Sequence, residues 1–169
     1  MRTFSRLIVV FLVLGFLASC IKKPEPIPCT YDACAVKAPA NEIAAVQQYL
    51  DSAGITGTTQ HCSGLFYTIQ TPGTGLQPDA CSGISVKYKG KLTNGEVFDS
   101  SATYIDIALG QVIRGWANGL PLLKEGGKMT LYIPPSLGYG SEDVRDRNNV
   151  LKIPANSILI FDVELLKVY

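Results

Sequence analysis

Histidine and tryptophan each occur once in the 169 residues, methionine twice, and neither sign of charge dominates, with 15 basic against 14 acidic residues. With one histidine, His61, and no closely spaced C-x-x-C pair, the chain has no ligand set for zinc. His61 lies in a turn-like stretch and reads as a solvated side chain. There is no G-x-G-x-x-G run and no internal repeat, so neither a dinucleotide-binding unit nor a repeat array is indicated. The near-neutral balance gives no electrostatic basis for binding nucleic acid. Apolar residues at 47% and charged residues at 17% exclude a disordered acidic or basic chain. The uninterrupted apolar run from Leu7 to Leu17 is too short to cross a bilayer as a helix.

That run follows Arg2 and Arg6 and fits a secretory signal over residues 1–19. It ends in Leu17-Ala18-Ser19-Cys20, which resembles the lipobox of bacterial lipoproteins, where cleavage leaves the cysteine N-terminal and lipidated. An ordinary signal peptide with an incidental cysteine is the alternative. Multiple acyl chains on Cys20 would give a stable membrane anchor, which implies the bacterial cell envelope, with the outer membrane as the default destination. Loss of Arg2 and Arg6 would leave 13 basic against 14 acidic residues, a net charge of −1. Apart from Cys20, four cysteines remain: Cys29, Cys34, Cys62 and Cys81. An even number in an exported chain suggests two disulfides, with three pairings open. Proximity in sequence favours Cys29 with Cys34, closing a small loop, and Cys62 with Cys81, pinning the entrances of two strands. Free or intermolecular thiols at Cys29 and Cys34 are the alternative.

Residues 20–39 read as a tether, because Pro24, Pro26 and Pro28 favour an extended polyproline conformation. A helix and connector follow over residues 40–63. Asn41 is the expected cap, Gly54 the expected stop, and Ile43, Val46, Leu50 and Ala53 the apolar face. At about a dozen residues this helix is short for a dimerisation arm, and a monomer is expected. From Gly64 to Tyr169 the pattern becomes that of strands. Leu65 to Ile69 is one, and Ile84, Val86, Tyr88 and Leu92 alternate with polar residues in a second. Asn94-Gly95 marks a hairpin turn before Val97-Phe98. Ile105 to Leu109 is expected to form a separate strand. Ile113, Trp116 and Leu120 make one stripe of a short helix limited by Pro121, and Met129 to Ile133 and Ile158 to Val168 complete the strands. The expected fold class is α+β, a mainly antiparallel twisted sheet wrapped around one short helix.

The segments V-K-Y-K-G around Tyr88, G-K-L-T-N-G-E-V-F-D-S-S around Phe98 and Asp99, L-G-Q-V-I-R-G-W through Val112, Ile113 and Trp116, G-Y-G at Tyr139, and I-F-D-V-E-L-L at Phe161 lie on separate predicted elements. In this order and spacing they resemble the FKBP-type peptidyl-prolyl isomerases, from about Gly64 to the C-terminus. The resemblance implies peptidyl-prolyl cis-trans isomerase activity on proline-containing polypeptides, here assisting the folding of exported proteins, with no cofactor and no metal. It implies that Trp116 is a pocket floor with Tyr88, Phe98, Val112, Ile113 and Phe161 as walls. By the same resemblance the Ile113 N–H and the Tyr139 hydroxyl would bind carbonyls, and Asp99 would face the twisting amide. Tyr88, Asp99, Trp116 and Tyr139 are thus the catalytic candidates, and Ile105 and Ile153 join the substrate-binding set. The family's macrolide inhibitors are a further ligand class, which Ile105 and the flap from Tyr139 to Ile153 would touch.

Two departures stand out. No arginine follows the Phe98-Asp99 pair, where Ser100-Ser101-Ala102-Thr103-Tyr104 stands instead, so Asp99 is left to the Tyr88 hydroxyl. Ile105 occupies a position where an aromatic wall residue is common, which would make the cup shallower. These features keep open a second reading, a chaperone-like peptide-binding module with weak or no isomerase activity. A structural lipoprotein with a vestigial pocket is a third.

Overall fold

The computed structural model describes residues 28–169. The predicted signal, Cys20 and the first part of the tether lie outside the described residues. The chain forms α1 (Ala40–Ser52), β1 (Thr59–Gln60), β2 (Phe66–Thr71), β3 (Gly83–Lys91), β4 (Val97–Ala108), α2 (Arg114–Gly119), β5 (Lys128–Ile133), β6 (Val144–Arg145), β7 (Leu151–Ile153) and β8 (Leu159–Val168). One six-stranded sheet runs in the order β1-β2-β5-β8-β3-β4, with every pairing antiparallel, and β6 and β7 form a separate small hairpin. Among the described residues, no helix is long and apolar enough to cross a membrane.

Period-two alternation assigns side chains to the two faces of the sheet. Met129, Leu131 and Ile133 of β5 and Leu159, Phe161, Val163 and Leu165 of β8 point into the main core, together with Ile84 and Val86 of β3. Trp116 and Leu120, carried by α2 and the 3₁₀ turn that continues it, close this core from the concave side. The intervening residues Phe66, Tyr132 and Ile160 face the other way, and α1 covers them with Val46 and Leu50, both fully buried. The helix is therefore part of the folded unit.

Its start differs from the expected cap. Pro39 occupies the N-cap position with no side-chain hydrogen bond, and Asn41 falls inside the first turn. Proline locks its own φ and leads directly into the helix, and Glu42 sits in that first turn. The Glu42 carboxylate accepts the Ser136 N–H at 2.9 Å, which ties α1 to the loop before Tyr139.

Val97-Phe98 and Ile105 to Leu109 were expected as two strands, but β4 is a single strand of 12 residues. Register shifts between Val86 and Tyr88 and between Gly90 and Lys91 of β3 absorb the irregularity, so the pairing continues past it. The expected hairpin before β4 is present: the Gly95 N–H donates to the Leu92 carbonyl and the Leu92 N–H to that of Glu96, both at 2.9 Å.

The disulfides differ from the pairing that proximity favoured. Cys29 bonds to Cys81 and Cys34 to Cys62, with Cα–Cα separations of 5.8 and 5.5 Å. A turn at Asp32, where the Cys34 N–H donates to the Asp32 carboxylate at 2.8 Å, sends the two cysteines to different anchor points. One anchor lies in the loop before β3 and the other in the connector before β2. From Cys29 onward the segment read as tether is a strap fastened to the domain.

Candidate functional site

Helix α2 sits unusually close to the sheet. A Cβ built at Gly115 would lie 2.5 Å from Ile133 Cγ2, and one at Gly119 would lie 2.5 Å from Leu131 Cδ2. Glycine at both positions lets the helix backbone rest directly on β5. Trp116, between them, is 5% exposed and turns its indole toward β8 and β3. The Trp116 and Phe161 rings meet edge to face at 5.1 Å, the Trp116 and Tyr88 rings at 5.2 Å, and the Phe98 and Phe161 rings at 5.4 Å. These T-shaped contacts set electropositive ring edges against electron-rich faces and fix the cluster as a unit. Gly90 makes room for it, since a Cβ there would stand 2.6 Å from Phe98 and 2.8 Å from Phe161. The indole Nε1 is buried with no hydrogen-bond partner among the described residues, so no direct hydrogen bond fixes the ring.

Above this floor lies a cavity of about 300 Å³ lined by Tyr88, Asp99, Ile105, Ile107, Gln111, Val112, Ile113, Trp116, Tyr139 and Phe161. Its polar groups are few. The Tyr88 hydroxyl donates to the Asp99 carboxylate at 2.7 Å. Burial, then that hydrogen bond and the charge of Asp99, push the Tyr88 phenol well above the usual tyrosine range. Burial, and then Asp99, also raises the Tyr139 phenol. Both rings therefore present O–H groups at neutral pH. Asp99 makes no ion pair among the described residues. The Ile113 N–H, at the N-cap of α2, donates to no acceptor found among the described residues, while its carbonyl accepts from Trp116 and Ala117. A larger, more open cleft between Gln70 and Glu164 has Tyr88 as its one aromatic residue and lacks this enclosed aromatic character. An apolar, concave site with a few convergent donors suits a small apolar ring flanked by carbonyls.

A family model for FKBP-type peptidyl-prolyl cis-trans isomerases matches residues 76–166, and these carry all ten residues that line the cavity. The chain belongs to the FKBP-type peptidyl-prolyl cis-trans isomerase family. An FKBP-type isomerase named FkpA from Buchnera aphidicola subsp. Schizaphis graminum is 47% identical over 116 residues, covering 66% of this chain and 44% of that protein. A probable FKBP-type isomerase from Haemophilus influenzae is 46% identical over 114 residues, covering 66% of this chain and 44% of that protein. The chain thus matches under half the length of these curated relatives. Among solved structures, FkpA from Escherichia coli superposes with a TM-score of 0.64 at 38% identity, covering 76% of this chain and 60% of that one. A peptidyl-prolyl isomerase from Pseudomonas syringae pv. tomato gives 0.65 at 32% identity, covering 79% and 98%.

Against this FKBP framework, eight of the ten residues expected in the site line the cavity: Tyr88, Asp99, Ile105, Val112, Ile113, Trp116, Tyr139 and Phe161. Two do not. Phe98, half-buried, packs edge to face on Phe161 and does not border the cavity. Ile153 is 3% exposed, lies on β7 opposite Val144, and belongs to the main core. Ile107 and Gln111 line the cavity without having been singled out. Ile107 follows Ile105 by one strand period and shares its face, a signal that was available in the sequence. Gln111 ends a 3₁₀ turn after β4, and nothing in the local pattern marks it.

The flap from Tyr139 to Ile153 carries the β6–β7 hairpin. The Asp143 carboxylate accepts the Ala155 N–H at 2.9 Å and pairs with Arg145 at 3.0 Å. The Ala155 N–H, and then Arg145, holds that carboxyl below its ordinary range. His61 contacts Cys62 Sγ and Ser63 near the Cys34–Cys62 bond, and burial lowers its pKa. Both sulfurs there are committed to a disulfide, which removes them as metal ligands.

Proposed function

We propose that this protein is a peptidyl-prolyl cis-trans isomerase that accelerates X-Pro switching in exported polypeptides, held at the cell envelope through a lipid on Cys20. The observation that carries the catalytic part is the cavity: an aromatic floor and walls with one carboxylate, two phenols and an unpartnered N–H, and no nucleophile arranged for covalent chemistry. The Leu17-Ala18-Ser19-Cys20 sequence supports the anchor. The short α1 supports a monomer.

The cis and trans forms of an X-Pro bond differ by about 1 kcal/mol and are separated by a barrier of ~18–20 kcal/mol. Amide resonance makes the barrier. Twisting the bond makes the nitrogen pyramidal and the carbonyl less polar, so a site that binds the twisted, less solvated amide better than either planar form lowers it. A reduction of ~5 kcal/mol corresponds to an acceleration on the order of several thousandfold. In this reading the proline ring rests on Trp116, between Tyr88, Val112, Ile113 and Phe161. The Ile113 N–H and the Tyr139 hydroxyl hold the flanking carbonyls. Asp99, oriented by Tyr88, faces the twisting bond. Macrolide inhibitors of the family would compete for the same floor.

The Asp99 carboxylate has the Tyr88 hydroxyl as its only hydrogen-bond partner among the described residues, which favours a second reading, peptide binding without effective catalysis. Refolding of a substrate protein limited by a non-native prolyl bond separates the two. An isomerase raises the rate constant of the slow phase at catalytic concentrations and leaves the yield unchanged. A binding module leaves the rate constant unchanged and raises the yield only near equimolar concentration. The second pattern would refute the first reading.

A further inference from the structure

Helix α2 has six residues and no side-chain cap at its N-terminus or at the residue following it. So short a helix is not stable by itself, and contacts from elsewhere must set its position. One contact is the close seat of Gly115 and Gly119 on β5. A second is the packing of Trp116 on Tyr88 and Phe161, and a third comes from the strap. Asn118, two residues after Trp116, is 2% exposed, and its side-chain oxygen accepts a hydrogen bond from the Tyr31 hydroxyl at 2.6 Å. A side-chain amide buried to that degree needs a partner, and a residue 87 positions away in sequence supplies it.

The strap is built to hold that hydroxyl in place. Tyr31 lies between Cys29 and Cys34, and each of these is bonded to a different part of the domain, Cys81 and Cys62. Beyond them, the Ala38 N–H donates to the Ser63 carbonyl at 2.8 Å. On the α2 side, Tyr31 and Ala33 border a groove with Ala117 and Pro121, and the Gln77 side chain donates to the Pro121 carbonyl at 2.6 Å. Two crosslinks bracketing one phenol are more than a flexible stalk requires.

We infer that Tyr31 is a positioning residue for the pocket: through Asn118 the disulfide-pinned strap holds α2, and with it Trp116, at the height the site needs. This rests on the isomerase reading of the cavity. Tyr31 touches no substrate in that reading, and its effect passes entirely through the helix.

Trp116 is the chain's single tryptophan, so its emission reports the floor directly. The test uses the full chain in mild detergent, comparing the parent with Tyr31→Phe, which keeps the ring and both bridges and removes only the hydroxyl. The expected result is red-shifted emission and stronger acrylamide quenching at unchanged far-ultraviolet circular dichroism. A fall in kcat/KM of about three- to tenfold on an X-Pro peptide should accompany it, as displacement of a binding surface dictates. In an Asn118→Leu background, Tyr31→Phe should add nothing, because the two residues act as one unit. Emission and quenching in Tyr31→Phe that match the parent overturn the inference. The emission readout needs no activity, so it decides the matter even in a chain whose isomerase activity proves absent.

Discussion

Gly115→Ala is the smallest change that challenges the seat of α2. The new Cβ would lie 2.5 Å from Ile133 Cγ2, 2.6 Å from Cδ1 and 2.8 Å from Cγ1. All three atoms belong to one β-branched side chain that is fully buried, whose rotamer is restricted. Restoring ordinary contact near 3.5–4 Å means moving the helix or the isoleucine by about 1 Å. Overpacking of this kind costs about 1–3 kcal/mol. Replacing glycine in a helix recovers at most about 1 kcal/mol, and less in so short a helix. The expected net loss is therefore about 1–2 kcal/mol, read from urea denaturation followed by circular dichroism. Because the displaced helix carries the pocket floor, Trp116 emission should change in the folded state as well. Ile133→Val should not rescue the variant, since it leaves two of the three close atoms. In an Ile133→Ala background, alanine at 115 should be neutral or stabilising. A Gly115→Ala chain at least as stable as the parent, with unchanged emission, would refute the idea that contact distance sets this helix.

Other expectations follow from particular contacts. Both cavity phenols are held above their ordinary range, so the folded chain keeps those protons more tightly than the unfolded one. The stability they add is present in full below about pH 10, the unperturbed tyrosine value, and is lost as pH rises through the folded values. A denaturation midpoint that is flat up to about pH 9 and then declines, less steeply in Tyr88→Phe, is expected; a midpoint that climbs with pH would contradict this. Leu50 is fully buried between α1 and the back of the sheet, and Leu50→Ala should cost about 2–5 kcal/mol in urea denaturation, whereas a detached helix would cost nothing. Converting Cys34 and Cys62 to serine opens a crosslink spanning 28 residues and should cost roughly 3–4 kcal/mol on the chain-entropy estimate. Refolding with Cys29 and Cys81 intact should still give the native fold, detectable as unchanged far-ultraviolet circular dichroism, with Trp116 emission shifted to the red as the strap loosens.

Much of the sheet could be read from the sequence because each strand buries one face more than the other, or packs both faces against different partners. Met129, Leu131 and Ile133 show this well: their period persists even though Tyr132, between them, is also buried under α1. The continuity of β4 was hidden because the extra residues at both register shifts lie on β4 itself, opposite the steps Val86 to Tyr88 and Gly90 to Lys91 of β3, and break its own alternation. Pairing of the cysteines depends on where a turn at Asp32 sends the chain, and nearest-neighbour reasoning has no access to that. Within the site, Phe98 and Ile153 have the composition of wall residues, yet Ile153 is buried in the core and Phe98 packs on Phe161 without bordering the cavity. The clamp between Tyr31 and Asn118 left no local trace, since neither residue is unusual in its own segment. Physical pattern identifies which residues are buried; only the assembled backbone shows which buried residues border a cavity.

The most direct measurement of the central claim is exchange NMR on a short peptide with an apolar residue before proline, with the parent, Trp116→Ala and Tyr139→Phe chains compared at equal catalytic concentration. The expected result is a clear rise in the cis–trans exchange rate with the parent chain, reduced in both variants, with the equilibrium ratio of the free peptide unchanged. A well-folded parent chain that leaves the exchange rate at its uncatalysed value, or variants as active as the parent, would contradict it.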